Sequence, residues 1–179
     1  MLGTIAIVAG VLLAILLGYA ATRPDRFRVQ RSLSVQAPAD RIFGLINDFH
    51  KWASWSPYEK LDPTMTKTFS GAESGTGAAY AWSGNSKAGE GRMEILSTVP
   101  PSKITIKLDF LKPFEGHNTA EFTMEPSGGA TKVTWAMFGP QKFMFKLMSI
   151  FMSMDKLVGK DFEQGVANIK GLAENKSNR

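Results

Sequence analysis

Few residues in this chain are equipped for covalent or acid–base chemistry. Among 179 residues there is no cysteine, and the two histidines are His50 and His117. Thiolate nucleophiles, disulfides, thiolate metal sites and three-histidine metal centres are therefore excluded. His50 lies between Phe49 and Lys51 on a short predicted surface helix, and His117 follows Gly116 in a turn. Both read as exposed histidines, since a general base needs a place beside a bound substrate. The carboxylates Glu90, Glu94, Asp109, Glu121 and Glu125 fall mostly on the wet faces of predicted strands. No Gly-x-Ser-x-Gly elbow, phosphate loop or dinucleotide fingerprint occurs, and the scattered glycines stand where turns need them. No catalytic residue, metal or cofactor is implied.

Apolar surface suited to gripping a hydrophobic molecule is abundant. The candidate ligand-contacting set is Phe43, Trp52, Trp55, Tyr80, Trp82, Met93, Leu108, Phe110, Asn118, Phe122, Met124, Trp135, Met137, Leu157, Val158 and Phe162. Aromatic and methionine side chains can re-pack around ligands of different shape. The same pattern also describes an ordinary sheet core. Tyr80 and Asn118 are the polar members, each able to orient a carbonyl or head group or to bond backbone.

These residues need elements to hold them. Phe27–Val35 alternates with period two and predicts a first strand. Ala37-Pro38-Ala39-Asp40 then opens a helix with Ile42, Phe43, Leu45 and Ile46 on its apolar side. Asp48 is placed to cap a second short helix carrying Phe49 and Trp52, followed by an aromatic loop, Trp55-Ser56-Pro57-Tyr58. Six extended runs follow: Met65–Phe69, Ala78–Ser83, Gly91–Thr98, Lys103–Leu111, Asn118–Glu125 and Thr131–Phe138. In the last three, apolar and polar residues alternate cleanly, which predicts an antiparallel sheet covered on one face. Met154, Leu157/Val158, Phe162, Val166, Ile169 and Leu172/Ala173 recur every three to four residues, a helical stripe to cover it. The order predicts an α+β helix-grip fold: a seven-stranded antiparallel sheet curled around a long C-terminal helix, with two short helices after the first strand. A curled sheet cannot press on one rod along its whole length, so a ligand-sized gap is expected between them.

Leu2–Ala21 carries no charge and would extend about 30 Å as a helix, the thickness of a hydrocarbon core. It predicts an N-terminal transmembrane helix over 1–22. The competing reading is a cleaved signal peptide, with Gly18-Tyr19-Ala20 as its small-residue site. Against that reading, no Lys or Arg precedes the run, which exceeds a usual signal core. Arg23, Arg26, Arg28 and Arg31 against Asp25 give a local excess of +3, leaving +2 of the formal +5 for the rest. Nucleic-acid binding, which needs a basic face on the domain itself, is not expected. The arginines make 23–26 a basic linker and favour a cytoplasmic soluble part. The domain is expected over 27–174 and a polar tail over 175–179. Gln141–Met154 is apolar almost all round. It reads either as a lead-in capping the open end of the sheet, or as a membrane-touching lid through Phe143, Phe145 and Phe151.

The entry Val35-Gln36-Ala37-Pro38-Ala39-Asp40-Arg41-Ile42-Phe43 resembles the START-like (SRPBCC) superfamily, specifically its bacterial polyketide cyclase/dehydrase and lipid-transport type proteins. The loop Trp52–Pro57, Tyr80–Gly84, Thr131–Trp135 and the helix from Met154 to Glu163 carry the same resemblance. It implies a cavity and, with the anchor, a single-pass protein of a bacterial inner membrane. The first expectation is a tethered module that holds a hydrophobic small molecule or lipid without transforming it. An enzyme steering cyclisation or dehydration of a reactive ketone chain is the second. A protein-interaction module of the chaperone-activator type is the third, a partner class that the even surface charge does not support.

Overall fold

A computed structural model describes residues 1–175; the expected polar tail, apart from Asn175, lies outside them. Seven strands form one antiparallel sheet in the order β1-β7-β6-β5-β4-β3-β2. They are β1 (Arg26–Val35), β2 (Thr66–Gly71), β3 (Ala78–Ser83), β4 (Glu90–Val99), β5 (Lys103–Lys112), β6 (Gly116–Ser127) and β7 (Ala130–Pro140). The helices are α1 (Leu2–Thr22), α2 (Ala39–Ile46), α3 (Phe143–Met148) and α4 (Met154–Glu174). This is the helix-grip arrangement that the alternation and the C-terminal stripe predict.

The short helices are secured by side chains that satisfy backbone groups. α2 ends with carbonyls that have no partner within the helix. Trp52 Nε1 donates to the Ile46 carbonyl at 2.9 Å, and Trp55 Nε1 to the Leu45 carbonyl at 3.0 Å. Lys51 Nζ donates to Gly44 at 3.1 Å. Asp48 caps a 3₁₀ helix, Phe49–Ser54, by accepting from the His50 N–H at 2.9 Å. The segment read as an aromatic loop turns once more into a 3₁₀ helix at Pro57–Lys60. Proline fits the first position of such a turn.

α4 crosses the inner face of the sheet. Phe162, Val166, Ile169 and Ala173 are buried beneath it, whereas Leu157 and Leu172 point to solvent. Arg31 on β1 reaches Asp155 Oδ1 and Glu163 Oε1 at 2.7 Å each, while Lys170 Nζ donates to the Ser34 carbonyl at 2.8 Å. Trp135 of β7 stacks on Phe162 with 4.1 Å between ring centroids and 6° between planes. Gly165 makes that approach possible, because a Cβ there would meet Trp135 Cζ3 at 2.5 Å.

α1 is a 21-residue helix whose side chains are exposed except at Leu16, which is partly covered, and Ala20, which is buried. It is long and apolar enough to cross a membrane, a test that a signal sequence also passes. Its C-terminal end packs against α3. The Gln141–Met154 run is not one continuous lead-in. α3 stops at Met148, and Ser153 caps α4 anew by accepting from the Lys156 N–H at 3.3 Å.

Candidate functional site

The strand register divides the sheet into two ends. Arg26 pairs with Pro140, Phe110 with Gly116, Glu90 with Lys112 and with Ser83, and Ser83 with Thr66, so these residues share one end. α1 joins the domain at this end. The far half of the inner face is filled: Val35, Ile42, Ile46, Ile95, Ile104, Phe122 and Val133 are fully or almost fully buried. Towards the α1 end the sheet diverges from α4 and leaves a cavity of about 190 Å³.

Ten of the sequence-predicted residues stand in its wall: Trp52, Tyr80, Trp82, Met93, Leu108, Phe110, Trp135, Met137, Val158 and Phe162. Six do not. Phe43 belongs to the core packing of α2, and Trp55 is buried with its indole committed to Leu45. Phe122 and Met124 point inward but lie at the filled end, with Phe122 stacked on Trp135 at 5.1 Å. Asn118 lies over Gly139, where a Cβ would meet its Oδ1 at 2.1 Å. Leu157 faces solvent at 49% exposure because its neighbour Val158 takes the inward position on α4. Of the membrane candidates, Phe143 and Phe151 are exposed, and Phe145 is half-buried edge-on against Phe114 at 6.4 Å.

The wall also holds residues that strand alternation does not reveal, Ser56, Tyr58, Glu59, Leu61, Met65, Lys87 and Ala88, together with the inward-facing Ala120. The 3₁₀ turn Pro57–Lys60 supplies Tyr58 and Glu59. Tyr80 Oη donates to Glu59 Oε1 at 2.8 Å, and Lys67 Nζ bonds the other carboxylate oxygen. The Glu59 side chain is 8% exposed, so this is an enclosed carboxylate with both oxygens engaged. Burial pushes the Tyr80 phenol far above its ordinary value, and the bond to Glu59 pushes it further. Tyr58 is also raised by burial, with Asp161 adding to the effect. Both phenols stay protonated near neutral pH, and that of Tyr80 acts as a donor. A Ser-Pro start with an acidic residue in the first turn is the sequence signal for this element.

The mouth is braced. Trp82 lies across Gly91, where a Cβ would strike its ring at 2.4 Å, and its Nε1 donates to the Ala88 carbonyl at 3.0 Å. Asp62 joins the two lips. Its Oδ1 accepts from the Thr64 hydroxyl and N–H at 2.7 and 2.9 Å, while its Oδ2 accepts from Asn85 N–H at 2.7 Å. These bonds hold the Asp62 carboxyl below the usual range. Neither histidine stands in this wall. His50 stacks on Phe69 at 4.2 Å, and His117 is not in a turn but on β6, facing outward to Asp109 and Glu115.

A curled sheet gripping one long helix, with an apolar gap closed at one end, defines a helix-grip domain built around a cavity. Residues 26–174 match the family model described as polyketide cyclase / dehydrase and lipid transport, and the chain belongs to that family. No curated protein matches the chain. Solved structures share the fold at low identity. A Chromobacterium violaceum protein aligns over 86% of this chain and 100% of its own, at TM-score 0.58 and 15% identity. The Aha1 dimer from Colwellia psychrerythraea aligns over 85% and 99%, at 0.58 and 12%. The di-domain ARO/CYC BexL from the BE-7585A biosynthetic pathway aligns over 89% of this chain and 54% of its own, at 0.63 and 10%.

Proposed function

We propose that the protein is a membrane-tethered module that holds a hydrophobic small molecule, or part of a lipid, between the sheet and α4. The observation that carries this reading is the 190 Å³ cavity walled by Trp52, Trp82, Trp135, Met93, Met137 and Leu108. An apolar cavity of roughly 150 Å³ suffices to bind benzene. The gap therefore accommodates one ring-sized body or a stretch of chain, and a larger ligand leaves its remainder at the mouth. Glu59 accepts hydrogen bonds in the wall, and the exposed Lys87 offers a cation. The ligand class is thus an apolar body with a single polar end.

Native mass spectrometry of the full-length chain, released from lipid nanodiscs, tests this. A one-to-one adduct of defined mass is expected, and Val158→Trp, which fills part of the cavity from its wall, abolishes it. An adduct that persists unchanged in Val158→Trp, or no adduct in either protein, rejects the cavity as the binding site.

A second reading, cyclisation with loss of water from a polyketone chain, draws support from the Glu59–Tyr80 pair, a carboxylate and a protonated phenol on one wall. It predicts that a bound polyketone is returned altered, and that Glu59→Gln returns it unchanged.

A further inference from the structure

The surface at the α1 end of the sheet is inverted relative to a water-facing helix. In α3, Lys146 points inward and is 9% exposed, while Phe143 and Met144 are 49% and 64% exposed. The turn that follows presents Phe151 at 74%, and the β5–β6 loop presents Phe114 at 62%. Phe114 meets Phe145 of α3 edge-on at 6.4 Å, and so much exposed apolar surface with its cation turned inside marks a contact surface.

What covers that patch follows from how α3 is held. α3 packs on α1, whose covered side chains are Leu16 and Ala20. The Lys146 ammonium pairs with the Asp25 carboxylate, and the Gln141 N–H donates to the Asp25 carbonyl at 2.7 Å. α3 is thereby fixed to Asp25, three residues beyond the end of α1. Arg26 and Lys142, both exposed, flank it as interfacial cations do. From Phe114 the surface continues to the cavity: Gly89, beside Ala88 of the mouth, packs against the Lys112 carbonyl.

We infer that α3, the 149–152 turn and Phe114 are seated in the headgroup region of the bilayer that holds α1, so that the cavity mouth opens onto lipid. The partner is a lipid surface, and the cavity exchanges its contents with that same leaflet. This rests on the tethered-module reading, because a patch beside a cleaved segment has no bilayer next to it.

The absence of cysteine makes the test direct, since single substitutions accept a spin label at one place only. Val11→Cys, Phe114→Cys, Phe151→Cys and Ser127→Cys are made in the full-length chain and reconstituted in phosphatidylethanolamine–phosphatidylglycerol nanodiscs. Power saturation then compares collision with oxygen, which partitions into lipid, and with a water-soluble nickel chelate. Labels at Val11, Phe114 and Phe151 are expected to favour oxygen, and the label at Ser127, at the far end of the sheet, to favour nickel. If Phe114 and Phe151 follow Ser127 while Val11 favours oxygen, the seating is wrong and the tether stands. If Val11 favours nickel, the tether has failed and the seating with it. Shielding of Phe114 and Phe151 from both reagents identifies a protein contact and overturns the lipid assignment.

Discussion

Trp135 and Phe162 lie face to face, 4.1 Å apart at 6°, and through them α4 is fastened to the middle of β7. The pair also stands at the boundary where the packed core gives way to the cavity, since both rings belong to the wall. Phe162→Ala removes a side chain that is 2% exposed and enlarges the gap. The expected cost is about 3–5 kcal/mol. Urea denaturation checks it; a loss under about 1 kcal/mol shows that α4 is held chiefly by its polar ties to β1.

Two glycines of α4 predict opposite outcomes for the same substitution. Alanine is favoured over glycine in a helix interior by about 1 kcal/mol. Gly171 faces open space, so Gly171→Ala raises the melting temperature. At Gly165 the new methyl meets the Trp135 ring at 2.5 Å, and the ring is confined between Phe122 and Phe162. Gly165→Ala therefore lowers the melting temperature despite the better helix propensity.

Glu59 sets a preference among ligands of equal shape. Its carboxylate, already accepting from Tyr80, retains lone pairs for a ligand hydroxyl. Wild type is expected to bind 4-propylphenol about tenfold more tightly than propylbenzene, or about 1.4 kcal/mol. Glu59→Gln narrows that gap. Calorimetric titration measures it, and an equal affinity for both compounds in wild type removes Glu59 from the site.

His117 gives the fold a pH dependence of known sign. Hydrogen bonds that its ring N–H groups donate to Asp109 and then Glu115 raise its pKa above the ordinary 6.5. A raised folded-state value means that the contribution is complete below the unfolded value and is lost as pH rises through the folded one. The denaturation midpoint should therefore fall slightly from pH 6 upward, a component that His117→Gln removes. An NMR titration of the imidazole that finds its midpoint at or below 6.5 contradicts this.

Periodicity reports which face a residue takes, not how far along the strand the packing is complete. That is why the alternation of Ala120-Phe122-Met124 and Val133-Trp135-Met137 places all six inward, while the cavity borders only Ala120, Trp135 and Met137. The distinction depends on the distance between sheet and α4, a property of the assembled curvature. Leu157 and Val158 were interchangeable on a stripe of three-to-four spacing until the helix docked. Glu59 was hidden for a different reason: a four-residue 3₁₀ turn has too little length to express a period, and its signal is confined to the Ser-Pro start and the acidic residue after it. The sheet, by contrast, was legible because six runs with turn-formers between them leave little choice of partner.

α4 contains Gly159, Gly165 and Gly171 within 21 residues, two of them required by the close approach of Arg31 and Trp135. Each weakens the isolated helix by about 1 kcal/mol relative to alanine. A segment so composed does not keep its helical form once separated from the sheet. Release of the grip is therefore expected to coincide with unwinding, so that opening takes the form of local melting of the C-terminal element and not the swing of a rigid door. The amide hydrogens of α4 should then exchange together with solvent deuterium, at a common rate that occupancy of the cavity slows.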